Sequence, residues 1–512
     1  MRKILLLLPF LLSVNLSLGQ LSYANCQLIK GPYEVGFTHY KVYDSTRTYA
    51  QEGNWDNQFT PRPMDISLWY PAKTPAHDVK RMTILNYMEV LKQEEEWAYL
   101  PNEEILNWFY YPNTAQNQVH MEETTWAYMD AEGEEGSFPV VIYAPSYQAS
   151  SVENFGLGEM LASHGFLVIS CPSKGAGQRW MQGGTPGDME IQAQDLAFMV
   201  HQALSLPHAD GERIASAGFS FGGIAQSLLQ MRNKYIRAVV SLDGTERYRF
   251  PTLMSSPFAN MTAVKVPYLH MAQKEIPEEV MEKDGLKPEL NTAFLFFDSL
   301  RYSDAFSLRF HDLTHAYFST LGVLFQTRDP RQDKSDLAIM ASYALAMEYA
   351  LRFLEANLKY EADAQAWLAK NTGESQGLIS VAAKKAKKIP FHFKDFHELA
   401  REQSYEGLET LYDSLKVEHP SFEIPEGAIN NLGLQLAFNP TTSEEGIKVF
   451  LLATRVYPNS ANLFDSLAEA YLFRNNKEEA IRCFKKSLEL YEDNQHAIQH
   501  LEELTSKSSR EK

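Results

Sequence analysis

Cysteine is almost missing from this chain: three residues in 512, Cys26, Cys171 and Cys483, far apart in sequence. So sparse a set makes neither a disulfide framework nor a cysteine metal site, and leaves folding to a hydrophobic core. Positive charge is also short, with 47 Lys and Arg against 65 Asp and Glu and a net charge of -18. So acidic a surface argues against nucleic acid or anionic lipid as the main partner. Long apolar runs are lacking beyond the first residues. No later stretch approaches the ~18 unbroken apolar residues of a membrane span, so no transmembrane segment is expected in the mature chain.

What is present begins at the N-terminus. Met1-Arg2-Lys3 precedes a run from Ile4 to Leu12 that is apolar apart from Pro9, and Ser17-Leu18-Gly19 offers small residues to a signal peptidase. This reads as a secretory signal peptide over residues 1–19, and the protein is expected to be exported, periplasmic or secreted. Cys26 lacks the small and aliphatic residues expected before a lipidated cysteine, so a lipoprotein is not expected.

From about Gly31 to Phe353 short apolar runs alternate with helical patterns, the signature of a mostly parallel sheet flanked by helices. The clearest strand candidates are Ile66–Tyr70, Val140–Tyr143, Phe166–Ser170, Ile214–Gly218, Ala238–Leu242, Pro267–Met271 and Ser307–Phe310. Residues 73–137 form an aromatic-rich insertion, with Trp97, Trp108, Phe109, Tyr110, Tyr111 and Trp126. It could be a lid or a pocket wall, but packing onto the domain's own surface is favoured, since aromatics mostly supply buried area. Met340–Leu358 reads as a closing amphipathic helix, so this domain is expected over residues 20–360. Residues 361–425 read as a helical linker, with the cluster Lys384-Lys385-Ala386-Lys387-Lys388 taken as a solvated helix face and not as an anion-binding patch.

The last hundred residues repeat. Gly446, Phe450, Ala453 and Pro458 recur 34 residues on as Ala480, Phe484, Ser487 and Glu492, and Leu432-Gly433 has its counterpart in Leu467-Ala468 with Tyr471. Small residues let paired helices pack closely while the aromatic fills the gap between them. The pattern resembles tetratricopeptide repeats over roughly 426–494, capped by a helix at Gln495–Leu504, for a repeat region of 426–505. Two units are few for a solenoid, so helices within 390–418 are expected to complete the stack. Such a tail implies a protein partner, self-association or packing on the first domain.

The chemistry sits at Gly218-Phe219-Ser220-Phe221-Gly222-Gly223. An apolar strand runs into Gly-x-Ser-x-Gly and then a helix, a nucleophile elbow whose glycines relieve a crowded turn. The turn lifts the Ser220 hydroxyl to the strand's C-terminal end, where the Phe221 amide can face an oxyanion. An unaided serine is a poor nucleophile, so an acid and a histidine should follow in that order. Asp243 ends the next apolar strand, and Glu275, after the following one, competes with it. His270 lies inside an apolar strand and reads as a core residue. His311 and His315 both follow the strand at Ser307–Phe310, and His315 is favoured because a loop can carry it over the serine.

These residues resemble the platelet-activating-factor acetylhydrolase and dienelactone-hydrolase branch of the α/β-hydrolases. The acetylhydrolase elbow reads Gly-His-Ser-Phe-Gly-Gly; its acid follows an apolar-Leu-Asp strand end, as in Ser241-Leu242-Asp243, and its histidine precedes two residues and a phenylalanine, as in His315-Ala316-Tyr317-Phe318. Gly31-Pro32-Tyr33-Glu34-Val35-Gly36 and Leu68-Trp69-Tyr70-Pro71-Ala72 also look like that family. The resemblance implies an α/β-hydrolase fold, the catalytic set Ser220, Asp243 and His315, and a carboxylic-ester substrate, with no metal or cofactor. One segment departs: where the family has His-Gly and a further glycine after the strand at Val140–Tyr143, this chain has Ala144-Pro145-Ser146-Tyr147-Gln148. By position the Tyr147 amide becomes the second oxyanion donor, since any residue but proline carries an N–H. Cleavage of amides or peptides remains open on the same triad, as does a non-catalytic interaction protein that works through its tail.

Overall fold

The computed structural model describes residues 22–50, 59–95, 97, 99–325 and 333–508; the expected signal peptide lies outside them. The chain divides between Lys387 and Lys388 into two compact units.

The first unit is built on a ten-stranded mixed sheet in the order β10-β9-β8-β7-β6-β4-β5-β2-β1-β3. The strands are β1 (Glu34–Ala50), β2 (Phe59–Ala72), β3 (Ala127–Met129), β4 (Phe138–Ala144), β5 (Leu167–Ser170), β6 (Ala209–Phe219), β7 (Ile236–Leu242), β8 (Tyr268–Ala272), β9 (Ala305–Phe310) and β10 (Ile379–Lys384). β5, β4, β6, β7, β8 and β9 run parallel. Their side chains alternate between two cores: Val141, Tyr143, Ala215 and Val240 join one, Val140, Ile142, Ile214 and Val239 the other. Burial on both faces is why β4, β5 and the second half of β6 read as largely apolar runs. Helices Phe155–Ser163 and Asp336–Leu354 cover the first face, and Pro186–Ala203 and Phe221–Arg232 the second.

The insertion at 73–137 supplies Ile84, Tyr87, Met88, Ile105 and Leu106 to the first core. The Tyr87 ring stacks on Phe155 at 4.5 Å, and β3 pairs parallel with β1. Trp97, Trp108 and Tyr110 remain exposed.

Two expectations need correction. The stretch 361–425 is not one helical linker: β10 lies within it and pairs antiparallel with β9 as an edge strand of the sheet. Nor do the lysines lie on a helix. Lys384 ends β10 and its Nζ donates to the Phe297 and Asp298 carbonyls at 2.9 and 2.8 Å, while Lys385 pairs with Asp304 at 3.1 Å. β10 is short and buries only Ile379, so its sequence carries no alternation that would announce a strand.

The second unit is all helical: Phe393–Glu402, Leu408–Glu418, Glu426–Ala437, Ser443–Val456, Ala461–Phe473, Lys477–Leu490 and Gln495–Ser508. Phe396, Leu408 and Leu415 share one core with Leu432, Phe450, Leu467 and Phe484, so the helices from 393 onward belong to this unit. A Cβ on Gly433 would lie 2.6–2.9 Å from the Phe450 ring. Gly433→Val should therefore cost about 1–3 kcal/mol through overpacking, read as a lower urea midpoint for this unit's unfolding.

Candidate active site

β4 and β6 are neighbours, and the chain leaves β4 for β5 on one side before returning to β6 on the other. The C-terminal ends at such a reversal form an open crevice, the usual binding place on a sheet of this type. Ser220 stands there, between β6 and the helix Phe221–Arg232, at φ 53° and ψ -118°. That is strained backbone for a residue with a Cβ. Three bonds hold the bend: Ser220 N–H donates to the Leu242 carbonyl at 3.1 Å, and the Ser220 carbonyl accepts from Thr245 and Gly223 amides at 2.9 and 3.0 Å. A Cβ on Gly222 would lie 2.1 Å from the Ala144 carbonyl oxygen, so the elbow can press against the end of β4 only with glycine there.

His315 lies in the loop after β9. Its Nε2 is 2.8 Å from Ser220 Oγ and its Nδ1 is 2.6 Å from Asp243 Oδ2. With Nδ1–H donated to the carboxylate, Nε2 presents a lone pair to the serine hydroxyl. The Gln273 side-chain carbonyl accepts the His315 backbone N–H at 3.2 Å, and the Phe219 ring lies 5.0 Å from the imidazole. Asp243 is fully buried. Its Oδ1 accepts from the Gln273 amide at 3.0 Å and the Tyr248 hydroxyl at 3.2 Å. Burial alone would raise its pKa, but the His315 hydrogen bond and charge, with the Gln273 amide, hold it below the usual carboxylate range.

The competing candidates lie elsewhere. The Glu275 side chain is 75% exposed and faces Arg309 at 3.7 Å. His311 is taken up by the Gly377 carbonyl and the Ser380 hydroxyl, both at 2.9 Å. His270 is fully buried in β8, with Nδ1 3.1 Å from Ser241 Oγ and 3.3 Å from Glu246 Oε1. Glu246 is a buried acid the sequence did not flag. Burial would raise its pKa, but His270, Ser241 and Tyr268 hold it low.

The segment after β4 is anchored by Glu153, also unflagged by the sequence. Its carboxylate accepts from the Ser146 amide at 2.8 Å and the Ser146 hydroxyl at 2.5 Å. This fixes the residue before Tyr147, whose ring meets Phe221 edge-on at 5.8 Å and whose hydroxyl accepts from the Gly183 amide at 2.8 Å. Phe221 opens its helix, so its N–H has no partner within that helix. The Glu153 carboxylate thus holds the backbone immediately before the Tyr147 amide. Phe109 and Tyr111 line a small cavity beside it with Gln148, Glu153 and Leu321.

Burial pushes the Glu153 carboxyl up to about 7, against the lowering pull of Ser146 and His315. Two results follow. Glu153→Ala should lower kcat about 10²-fold with little change in KM, because the Ser146–Tyr147 peptide loses its anchor, while Glu153→Gln keeps an acceptor and most of the rate. A raised carboxylate stabilises least once ionised: the folded state holds the proton between the ordinary pKa of 4.5 and about 7, so stability contributed by this group is lost as pH rises through that window. Relative to wild type, Glu153→Gln should gain stability as pH rises from about 4.5 to about 7, by up to about 3 kcal/mol in urea unfolding.

No family model matches the chain, and no curated protein matches it. Among solved structures the chain is similar to a ferulic acid esterase from Streptomyces cinnamoneus, at 18% identity over 69% of this chain and 97% of that one, with a TM-score of 0.47.

Proposed function

We propose that the first unit is an exported serine hydrolase of the α/β-hydrolase type that cleaves carboxylic esters through an acyl-enzyme on Ser220. The observation that carries this reading is the unbroken relay from Ser220 Oγ through His315 to Asp243, at 2.8 and 2.6 Å. His315 takes the serine proton as Oγ attacks the ester carbonyl, and Asp243 stabilises the imidazolium. The Phe221 and Tyr147 amides receive the oxyanion, each donor worth ~3–4 kcal/mol. The imidazolium returns the proton to the leaving alcohol. Water, activated by the same imidazole, then releases the acid. No step calls on a metal or an organic cofactor. The second unit is read as tetratricopeptide-like, on the close approach of Gly433 to Phe450, and as a surface for a protein partner or self-association.

A fluorophosphonate probe tests the nucleophile: wild type should label and Ser220→Ala should not. Absence of labelling in folded wild type would assign the chain a non-catalytic, interaction role. A panel of p-nitrophenyl esters of increasing acyl length, run beside matching p-nitroanilides, then separates ester from amide cleavage and measures the acyl group accepted.

A further inference from the structure

Folding brings together in the second unit a set of side chains that no stretch of sequence groups. Helix Ala461–Phe473 carries Asp465 and Glu469, and helix Gln495–Ser508 carries His496 and His500. Each pair is four residues apart and shares a helix face. The ligand atoms of Glu469, His496 and His500 all lie within 4.8 Å of one another. His496 Nδ1 is 2.8 Å from Asp465 Oδ2, and Asp465 Oδ1 accepts from Asn494 Nδ2 at 3.0 Å. His496 Nε2 faces Glu469 Oε1 at 3.3 Å. The His500 ring stacks on Phe484 at 5.2 Å and meets the His496 ring at 4.5 Å.

The hydrogen bonding leaves an electrostatic gap. Asp465 takes the Nδ1–H of His496, so in the neutral imidazole Nε2 is a lone pair aimed at a carboxylate oxygen. Two acceptors that face each other need a cation between them. A divalent ion satisfies the carboxylate and both rings at once. The carboxylate behind a ligating histidine, fixing its tautomer, is the usual support for such a ligand.

We infer that Glu469, His496 and His500 form a metal site for a borderline transition ion of the Zn²⁺, Co²⁺ or Ni²⁺ kind, with Asp465 orienting His496. Two imidazoles and one carboxylate suit these ions and not Mg²⁺ or Ca²⁺, which take oxygen ligands. The ion ties the final helix to the hairpin before it, adding to the packing and to the hydrogen bonds from Asn494 and His496 to Asp465 that close the helical stack.

Full-length protein stripped with EDTA and exchanged into metal-free buffer, titrated with Zn²⁺ in a calorimeter at neutral pH, tests the site. One saturable site is expected, with no heat from Mg²⁺ or Ca²⁺. Asp465→Ala should weaken binding about 10–100-fold, and His496→Gln and His500→Gln at least as much. The Ser220→Ala protein should bind as wild type does. Zn²⁺ should raise the Tm of the second unit in wild type and not in the His496→Gln, His500→Gln double variant, whose far-UV circular dichroism checks its folding. No saturable binding by wild type, or equal affinity in the folded double variant, would overturn the assignment.

Discussion

Ser220→Ala should lower kcat on an activated ester by about 10⁴–10⁶-fold, the loss seen when a triad nucleophile is removed. Little of this loss should come from unfolding. The serine hydroxyl faces His315 and no other protein group bonds to it among the described residues, so its removal strands only an imidazole that is itself partly exposed. The bend at φ 53° is imposed by the bonds from Leu242, Thr245 and Gly223 to the backbone of residue 220, and these survive the change. That strain gives a second result with the opposite sign. Ser220→Gly should be equally inactive yet more stable than Ser220→Ala by about 1 kcal/mol, because glycine adopts this φ without a Cβ penalty. Stopped assays on p-nitrophenyl acetate and urea unfolding of the same three proteins give both numbers. Turnover by Ser220→Ala within tenfold of wild type would place the nucleophile elsewhere.

How much of this was legible in the sequence depended on whether a feature leaves a pattern. The parallel strands did, because β4, β5 and the C-terminal parts of β6 and β7 are buried on both faces and must be largely apolar. β1 did not: among its seventeen residues the buried ones are few, with Val35 and Phe37 turned in while Tyr43 stays exposed. A half-exposed ribbon held by pairing to β2 has no run to notice. β10 is harder still, since its pairing with β9 is specified by a residue separation of about seventy, which no local window contains.

The site divides the same way. Ser220 is readable because an elbow demands glycines at fixed offsets, and Asp243 and His315 because they follow strand ends in the order the chemistry needs. Glu153, Tyr248 and Gln273 are single polar residues in loops, and nothing in their neighbourhood marks them. Only the folded chain puts Glu153 on Ser146, and Tyr248 and Gln273 on one oxygen of Asp243. The histidine pair at 496 and 500 went unflagged within a helix read only as a cap, and its carboxylate partners come from another helix. A four-residue histidine interval alone says little without them.

Those two donors to Asp243 make the consequence of Asp243→Asn unusually definite. The Gln273 amide and the Tyr248 hydroxyl both donate to Oδ1, so the carbonyl oxygen of an asparagine must take that position. Its NH₂ is then forced toward His315, where Oδ2 stood 2.6 Å from Nδ1. An N–H facing Nδ1 makes that nitrogen the acceptor and moves the imidazole proton to Nε2, the atom that should receive the serine proton. The geometry survives while the base is switched off, and kcat should fall about 10⁴-fold with KM little changed. Tyr248→Phe removes one of the two donors and leaves the tautomer alone, so its loss should be modest, nearer tenfold than 10⁴-fold. Adding Tyr248→Phe to Asp243→Asn should recover part of the rate, because with one donor gone the amide can turn its oxygen to His315 in a fraction of molecules. Steady-state kinetics on the two single variants and the double variant decide it. An Asp243→Asn protein within tenfold of wild type would mean that His315 is oriented by something other than this carboxylate.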